Sequence, residues 1–106
     1  MRVNGAGYIV RDMRKHPQLR EPLNAWLRVA NEATWRNLME VRAVFPTADG
    51  VPIRKGKRTI VVTVFNVGGN SFRLITTISY AAQVIDVWGV LTHAEYDKER
   101  WKRWFV

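Results

Sequence analysis

Cysteine is absent from the 106 residues, which excludes a disulfide framework, a thiolate zinc site and a thiol nucleophile. Long apolar runs are absent too. The richest stretch, Ile60 to Val62 with Val64 and Phe65 beyond Thr63, falls far short of the roughly 20 residues that span a bilayer. The opening MRVNGAGYIVRDMRK has no apolar h-region and no small-residue cleavage site, so a cytoplasmic protein is expected, with no membrane association. Histidine is scarce. His16 and His93 are too few and too scattered to build a metal site without thiolates, so no metal or other cofactor is expected. Acidic residues are missing from the whole stretch between Asp49 and Asp86, which holds Arg54, Lys55, Lys57, Arg58 and Arg73.

What is present is positive charge. Seventeen Lys and Arg against nine Asp and Glu give +8, with a pI near 10.6. A small domain this basic points to a polyanionic partner, because each neutralised phosphate releases condensed counterions. A second basic cluster, Lys98, Arg100, Lys102 and Arg103, lies near the end. The length suits one domain over residues 1–106, since single domains cluster at about 100–150 residues. No internal repeat or low-complexity segment divides it.

Periodicity separates a helical half from a strand half. Leu19, Leu23, Trp26, Leu27 and Ala30 form one stripe at i, i+4, i+7, i+8 and i+11, the mark of an amphipathic helix. Pro17 and Pro22 fall at or before its first turn, where a missing N–H costs little. A shorter helix is expected before it, from about Tyr8 to Lys15. Leu38, Val41 and Phe45 suggest a further turn or two ending before Pro46. Thr47 to Lys57, with Gly50, Pro52 and Gly56, reads as a loop with a basic end. Thr59 to Val67 is β-branched and reads as a strand. Gly68-Gly69-Asn70 is a turn, Ser71 to Tyr80 alternates as a second strand, and Val84 to Leu91 makes a third. Short connections imply an antiparallel meander, with Arg2 and Val3 available for a short edge strand.

The expected fold is therefore α+β, with N-terminal helices on one face of a three- to four-stranded antiparallel sheet and a C-terminal helix. Phe72, Leu74 and Ile78 would face the Leu19–Ala30 helix, joined by Ile85, Val87 and Leu91. Arg73 and Trp88 would then share the opposite, open face. There they could contact phosphate and stack a base, or form an ordinary Trp–Arg surface pair. Thr92 followed by Glu95 is a capping box, opening a helix that carries Trp101, Trp104 and Phe105. His93 would sit at its first position, where the helix dipole favours the neutral ring a general base needs. A surface histidine without chemistry fits the same position.

Two motifs carry a resemblance. Val64-Phe65-Asn66-Val67-Gly68-Gly69-Asn70 followed by Phe72-Arg73-Leu74, and Thr92-His93-Ala94-Glu95-Tyr96-Asp97-Lys98, resemble the signature segments of HigB-type toxins. His16-Pro17, Pro22-Leu23, Ala25-Trp26, Trp35, Val41, Phe45-Pro46 and Ala48-Asp49 agree more loosely and in the same order. The resemblance implies the RelE-like superfamily of type II toxin–antitoxin systems, mostly ribosome-dependent endoribonucleases that cut mRNA and so inhibit translation. It implies a cognate antitoxin, a DNA-binding protein, as partner, together with mRNA and the ribosome.

By that resemblance Arg73, His93 and Tyr96 become the candidate catalytic residues. Arg73 would meet phosphate or transition-state charge, and His93 and Tyr96 would transfer protons or stack a base. Asp97 would orient one of them or stabilise the first helical turn. Arg54, Lys55, Lys57, Arg58, Trp88 and Lys98 would bind RNA. The chain departs from the family pattern at Trp88, where members often carry arginine, and at Leu91, where glycine is frequent. Two other readings therefore stand beside the nuclease: a non-catalytic RNA- or ribosome-binding module, and a protein-interaction subunit whose basic face serves an acidic antitoxin.

Overall fold

In the computed structural model, which describes residues 1–106, the stripe read from the sequence becomes one wall of the core. Helix α1 spans Ala6–Lys15, a 3₁₀ turn Pro17–Leu19, helix α2 Arg20–Glu32 and helix α3 Leu38–Val44. Leu19, Leu23, Trp26 and Ala30 are all buried, and each large apolar side chain so buried contributes roughly 1.5–3 kcal/mol. Trp26 meets Phe65 edge-on at 5.3 Å. Its indole N–H has no hydrogen-bond partner, so packing around the ring must offset a desolvation penalty of about 1–3 kcal/mol.

The sheet has five strands, not the three or four expected, in the order β1-β5-β4-β3-β2. These are β1 (Arg2–Asn4), β2 (Asp49–Lys55), β3 (Arg58–Val67), β4 (Phe72–Ser79) and β5 (Val84–Thr92). The meander β2–β5 is antiparallel, but the edge strand β1 runs parallel to β5, pairing Val3 with Ile85. The segment read as a loop over 47–57 is largely strand β2. Its Gly and Pro are tolerated because β2 is an edge, where Pro52 opposite Val61 withdraws no interior ladder bond. Gly56, at φ +61°, turns the chain back into β3 at the basic tip.

Phe65, Val67, Phe72, Leu74, Ile85 and Val87 pack with the helices on one face. Val90 joins them in place of Leu91, for a definite reason. Ile75 pairs with Gly89 but Thr76 pairs with Val87, so Trp88 is an extra residue in β5. Such a bulge reverses the alternation beyond it. At the bulge, the Val90 amide donates to the buried carboxylate of Asp12 at 3.2 Å, tying α1 to β5.

The second face is not open. Ile53, Val62, Val64 and Ile75 are covered by Trp101 and Phe105, with Leu91 packed beside them. These aromatics do not lie on a continuous C-terminal helix. Helix α4 covers only His93–Asp97, and a separate 3₁₀ segment follows at Arg100–Phe105. Between them Glu99 takes a left-handed conformation, φ +60°. The chain must turn there to lay Trp101 and Phe105 onto the sheet. No helix is long and apolar enough to cross a membrane.

Candidate active site

A cleft of about 550 Å³ opens where the start of β2, the ends of β3 and β4 that flank the Gly68-Gly69 turn, and α4 converge, lined by Arg42, Asp49, Asn66, Arg73 and Tyr96 among others. Arg73 reaches it from β4. Its Nη1 donates to the carbonyls of Asn70 at 2.9 Å and Phe72 at 3.1 Å. The glycine turn therefore holds the guanidinium by one nitrogen, leaving Nε and Nη2 for a ligand.

The capping box delivers Tyr96. Thr92 Oγ1 accepts from the Glu95 amide at 3.2 Å, and the Glu95 carboxylate accepts from the Thr92 amide at 2.9 Å. That second bond, foremost, holds the Glu95 carboxyl below its usual range. The short helix so fixed places the Tyr96 ring between two neighbours. Trp101 stacks on it at 5.2 Å and 11°, and the Arg73 guanidinium lies 5.7 Å from its centroid. Burial pushes the Tyr96 hydroxyl above its ordinary value, helped by the Asp49 carboxylate and opposed by Arg73. The phenol thus stays protonated at neutral pH and can donate.

Arg73 and Tyr96 are brought together in the cleft, His93 stands about one helical turn from Tyr96, and the remaining expected residues are dispersed. His93 lies outside the cleft lining, three residues before Tyr96, so the two Cβ atoms are about 5–6 Å apart on one helical face. Its Nδ1 is 2.8 Å from Asp97 Oδ2, and its amide donates to the Ser71 carbonyl at 2.9 Å. Asp97 thus fixes the ring and leaves Nε2 as the free nitrogen. Arg54, Lys55, Lys57 and Arg58 are exposed at the β2–β3 tip. Arg58 is six residues along β3 from the cleft residue Val64, roughly 20 Å away at strand rise. Lys98 is exposed and lines a separate hollow beside Trp101 and Trp104.

Trp88 does lie on the second face, but away from the cleft. Its Nε1 donates to Thr77 Oγ1 at 3.0 Å and its ring meets Phe105 at 5.0 Å. It supplies no positive charge beside Arg73. Arg42, Asn66 and Asp49 were not singled out as site residues. Asn66 stands inside the first motif and Asp49 in the looser set, so both carried a signal. Arg42 carried none: it enters through the α3–β2 return, its Nε donating to the Ala48 carbonyl at 2.8 Å with Asp49 at 3.6 Å.

Residues 19–99 match the family model described as HigB toxin, RelE-like toxic component of a toxin–antitoxin system. The chain is 33% identical over 85 residues to an mRNA interferase HigB of Escherichia coli O6:H1, covering 80% of this chain and 78% of that protein. It is 31% identical over 83 residues to the mRNA interferase toxin HigB of Escherichia coli K12, covering 78% and 75% respectively. The matched span takes in α2, the cleft and both motifs, and on it the chain belongs to the HigB toxin family, the RelE-like toxic components of toxin–antitoxin systems.

Proposed function

We propose that this protein is an endoribonuclease that cuts mRNA on translating ribosomes, by attack of a 2′-OH on the adjacent phosphate. The observation that carries the reading is the convergence of Arg73 and Tyr96 on one cleft, in a chain whose E. coli relatives are named mRNA interferases. The new bond is 2′-O–P and the broken bond is P–O5′, leaving a 2′,3′-cyclic phosphate and a 5′-hydroxyl. His93 Nε2 takes the 2′-OH proton, with Asp97 holding the ring at Nδ1. The Tyr96 hydroxyl donates to the departing 5′ oxygen, and Arg73 stabilises the charge that develops on phosphorus-bound oxygen. Arg42 and Asn66 line the same cleft and supply further donors to the phosphate.

A cognate antitoxin, itself DNA-binding, is the partner this activity requires. A second reading, a non-catalytic RNA- or ribosome-binding module, is favoured by one observation: Trp88 is tied to Thr77 and Phe105 away from the cleft, which leaves Arg42 as the one other arginine lining it with Arg73.

The test is cleavage of mRNA by the purified protein, with and without translating ribosomes, mapped by primer extension. Cuts should appear only with ribosomes, and Arg73→Ala should lower their rate by roughly 10²-fold or more. Salt-sensitive binding without cuts would establish the second reading.

A further inference from the structure

A second cleft, of about 720 Å³, lies on the far side of α4 between α1 and β5. Its walls are aromatic and charged. Tyr8, Trp88 and Trp104 all line it, and at 46%, 41% and 43% exposure they are the exposed aromatic side chains of the molecule. Arg11 and Lys15 line it from α1, and the Arg11 guanidinium sits 5.2 Å from the Tyr8 ring centroid.

The β5 bulge shapes this cleft. Gly89 has no Cβ, and one added there would stand 3.3 Å from Trp104, so the missing atom lets that ring close against the strand. Two carboxylates share the lining: Asp12 accepts from the Val90 amide and lies 3.7 Å from the Arg11 guanidinium, and Glu95 accepts from the Thr92 amide. Exposed rings beside cations, on a chain of net charge +8, form a stacking platform of the kind that holds single-stranded nucleic acid. The two clefts share a wall. Glu95 and Tyr96 are neighbours on α4, one lining each cleft, and a helix is only about 10–12 Å across with its side chains.

We infer that the α1–β5 cleft is a second RNA subsite, in which bases flanking the cut stack on Tyr8, Trp88 and Trp104 while Arg11 and Lys15 hold the backbone. The inference rests on the ribonuclease reading above, because the strand it binds is the one that crosses α4 from the Arg73–Tyr96 cleft. The subsite gives Trp88 a role that does not require it to reach the phosphate being cut.

The experiment measures binding of the full chain to single-stranded oligouridines carrying 2′-fluoro groups, which cannot attack, at lengths of two to eight nucleotides. The parent should bind the eight-mer more tightly than the dinucleotide. Tyr8→Ala with Lys15→Ala should lower eight-mer affinity about tenfold or more, the scale of one lost stacked base, and leave dinucleotide affinity unchanged. Lys15→Glu alone, which removes no packed side chain, should act in the same direction. A terminal 5-bromouridine on the eight-mer should crosslink to Tyr8, Trp88 or Trp104. Equal eight-mer affinity in parent and variants, or crosslinks confined to other residues, would overturn the subsite. So would loss of binding to an acidic peptide with RNA binding intact, which would make the cleft a protein-docking surface. Ribosomal cleavage by the parent, assayed in parallel, separates the two ideas. A parent that cleaves but shows no length dependence overturns the subsite alone, whereas a parent that neither cleaves nor binds RNA overturns both.

Discussion

Gly5 joins β1 to α1 at φ +84°, and a Cβ there would stand 2.4 Å from the Val87 carbonyl oxygen. Both facts oppose any side chain, since the left-handed backbone is strained for L-residues and the obstacle is backbone that cannot turn aside. Gly5→Ala should destabilise the protein by about 2 kcal/mol and lower its Tm by roughly 10 °C. Thermal denaturation followed by circular dichroism checks this, and an unchanged Tm would mean that the β1–α1 junction relaxes freely. Gly5 is a requirement the sequence did not announce, because the clash is with a strand more than eighty positions away. Arg73 and Tyr96 could be picked out beforehand, since each stands inside a contiguous motif. Arg42 could not: its place in the cleft depends on how α3 returns into β2, which no local pattern encodes. Trp88 was assigned to the right face, yet its partners Thr77 and Phe105 depend on where the C-terminal segment lies.

At the scale of elements, signals that act over a few residues were readable and those set by distant packing were not. The stripe over Leu19–Ala30 and the Thr92–Glu95 box each specify a helix through contacts within one or two turns. Strand β2 was missed because its composition is that of a loop, and only pairing with β3 makes Pro52 and Gly50 acceptable at an edge. The bulge at Trp88 and the left-handed Glu99 answer to tertiary demands, namely the Asp12 anchor and the burial of Trp101 and Phe105. The cap of α4 is where an element's stability reaches the chemistry. Thr92→Ala removes the bond from the Glu95 amide, which should cost about 1 kcal/mol in chemical denaturation. It should also lower cleavage, since the frayed helix carries Tyr96. Glu95 gives the cap a pH signature. Its carboxyl is lowered mainly by the Thr92 amide, so its contribution is present above the ordinary glutamate pKa of about 4.3 and is lost as pH falls through the lowered folded value. Acid should therefore loosen α4 in the parent, and Glu95→Gln should flatten that part of the stability profile. An identical acid limb in both proteins would place the loss elsewhere.

Across the whole molecule, the basic hairpin tip and the proposed cutting site occupy different ends. The basic tip of the β2–β3 hairpin projects from the far end of β3, roughly 20 Å from Val64 in the Arg73–Tyr96 cleft. On the ribonuclease reading, that distance keeps Lys55, Lys57 and Arg58 from the phosphate held at Arg73. It suits a grip on the RNA backbone some nucleotides away, or on the ribosome. The two roles leave different marks. Replacing Lys55, Lys57 and Arg58 together by alanine removes up to three phosphate contacts. The slope of log affinity against log salt for single-stranded RNA should then become shallower by roughly 2. The cleavage rate at saturating RNA should stay at the parent's level, because nothing aimed at the reacting atoms has moved. Arg73→Ala should do the reverse, with a large fall in rate and a salt slope altered by at most one contact. If the hairpin triple variant instead lost its rate at saturation, the tip would have to fold toward the cleft on binding. The β2–β3 ladder, paired without interruption from Asp49–Val64 to Lys55–Arg58, would have to bend or open to allow it.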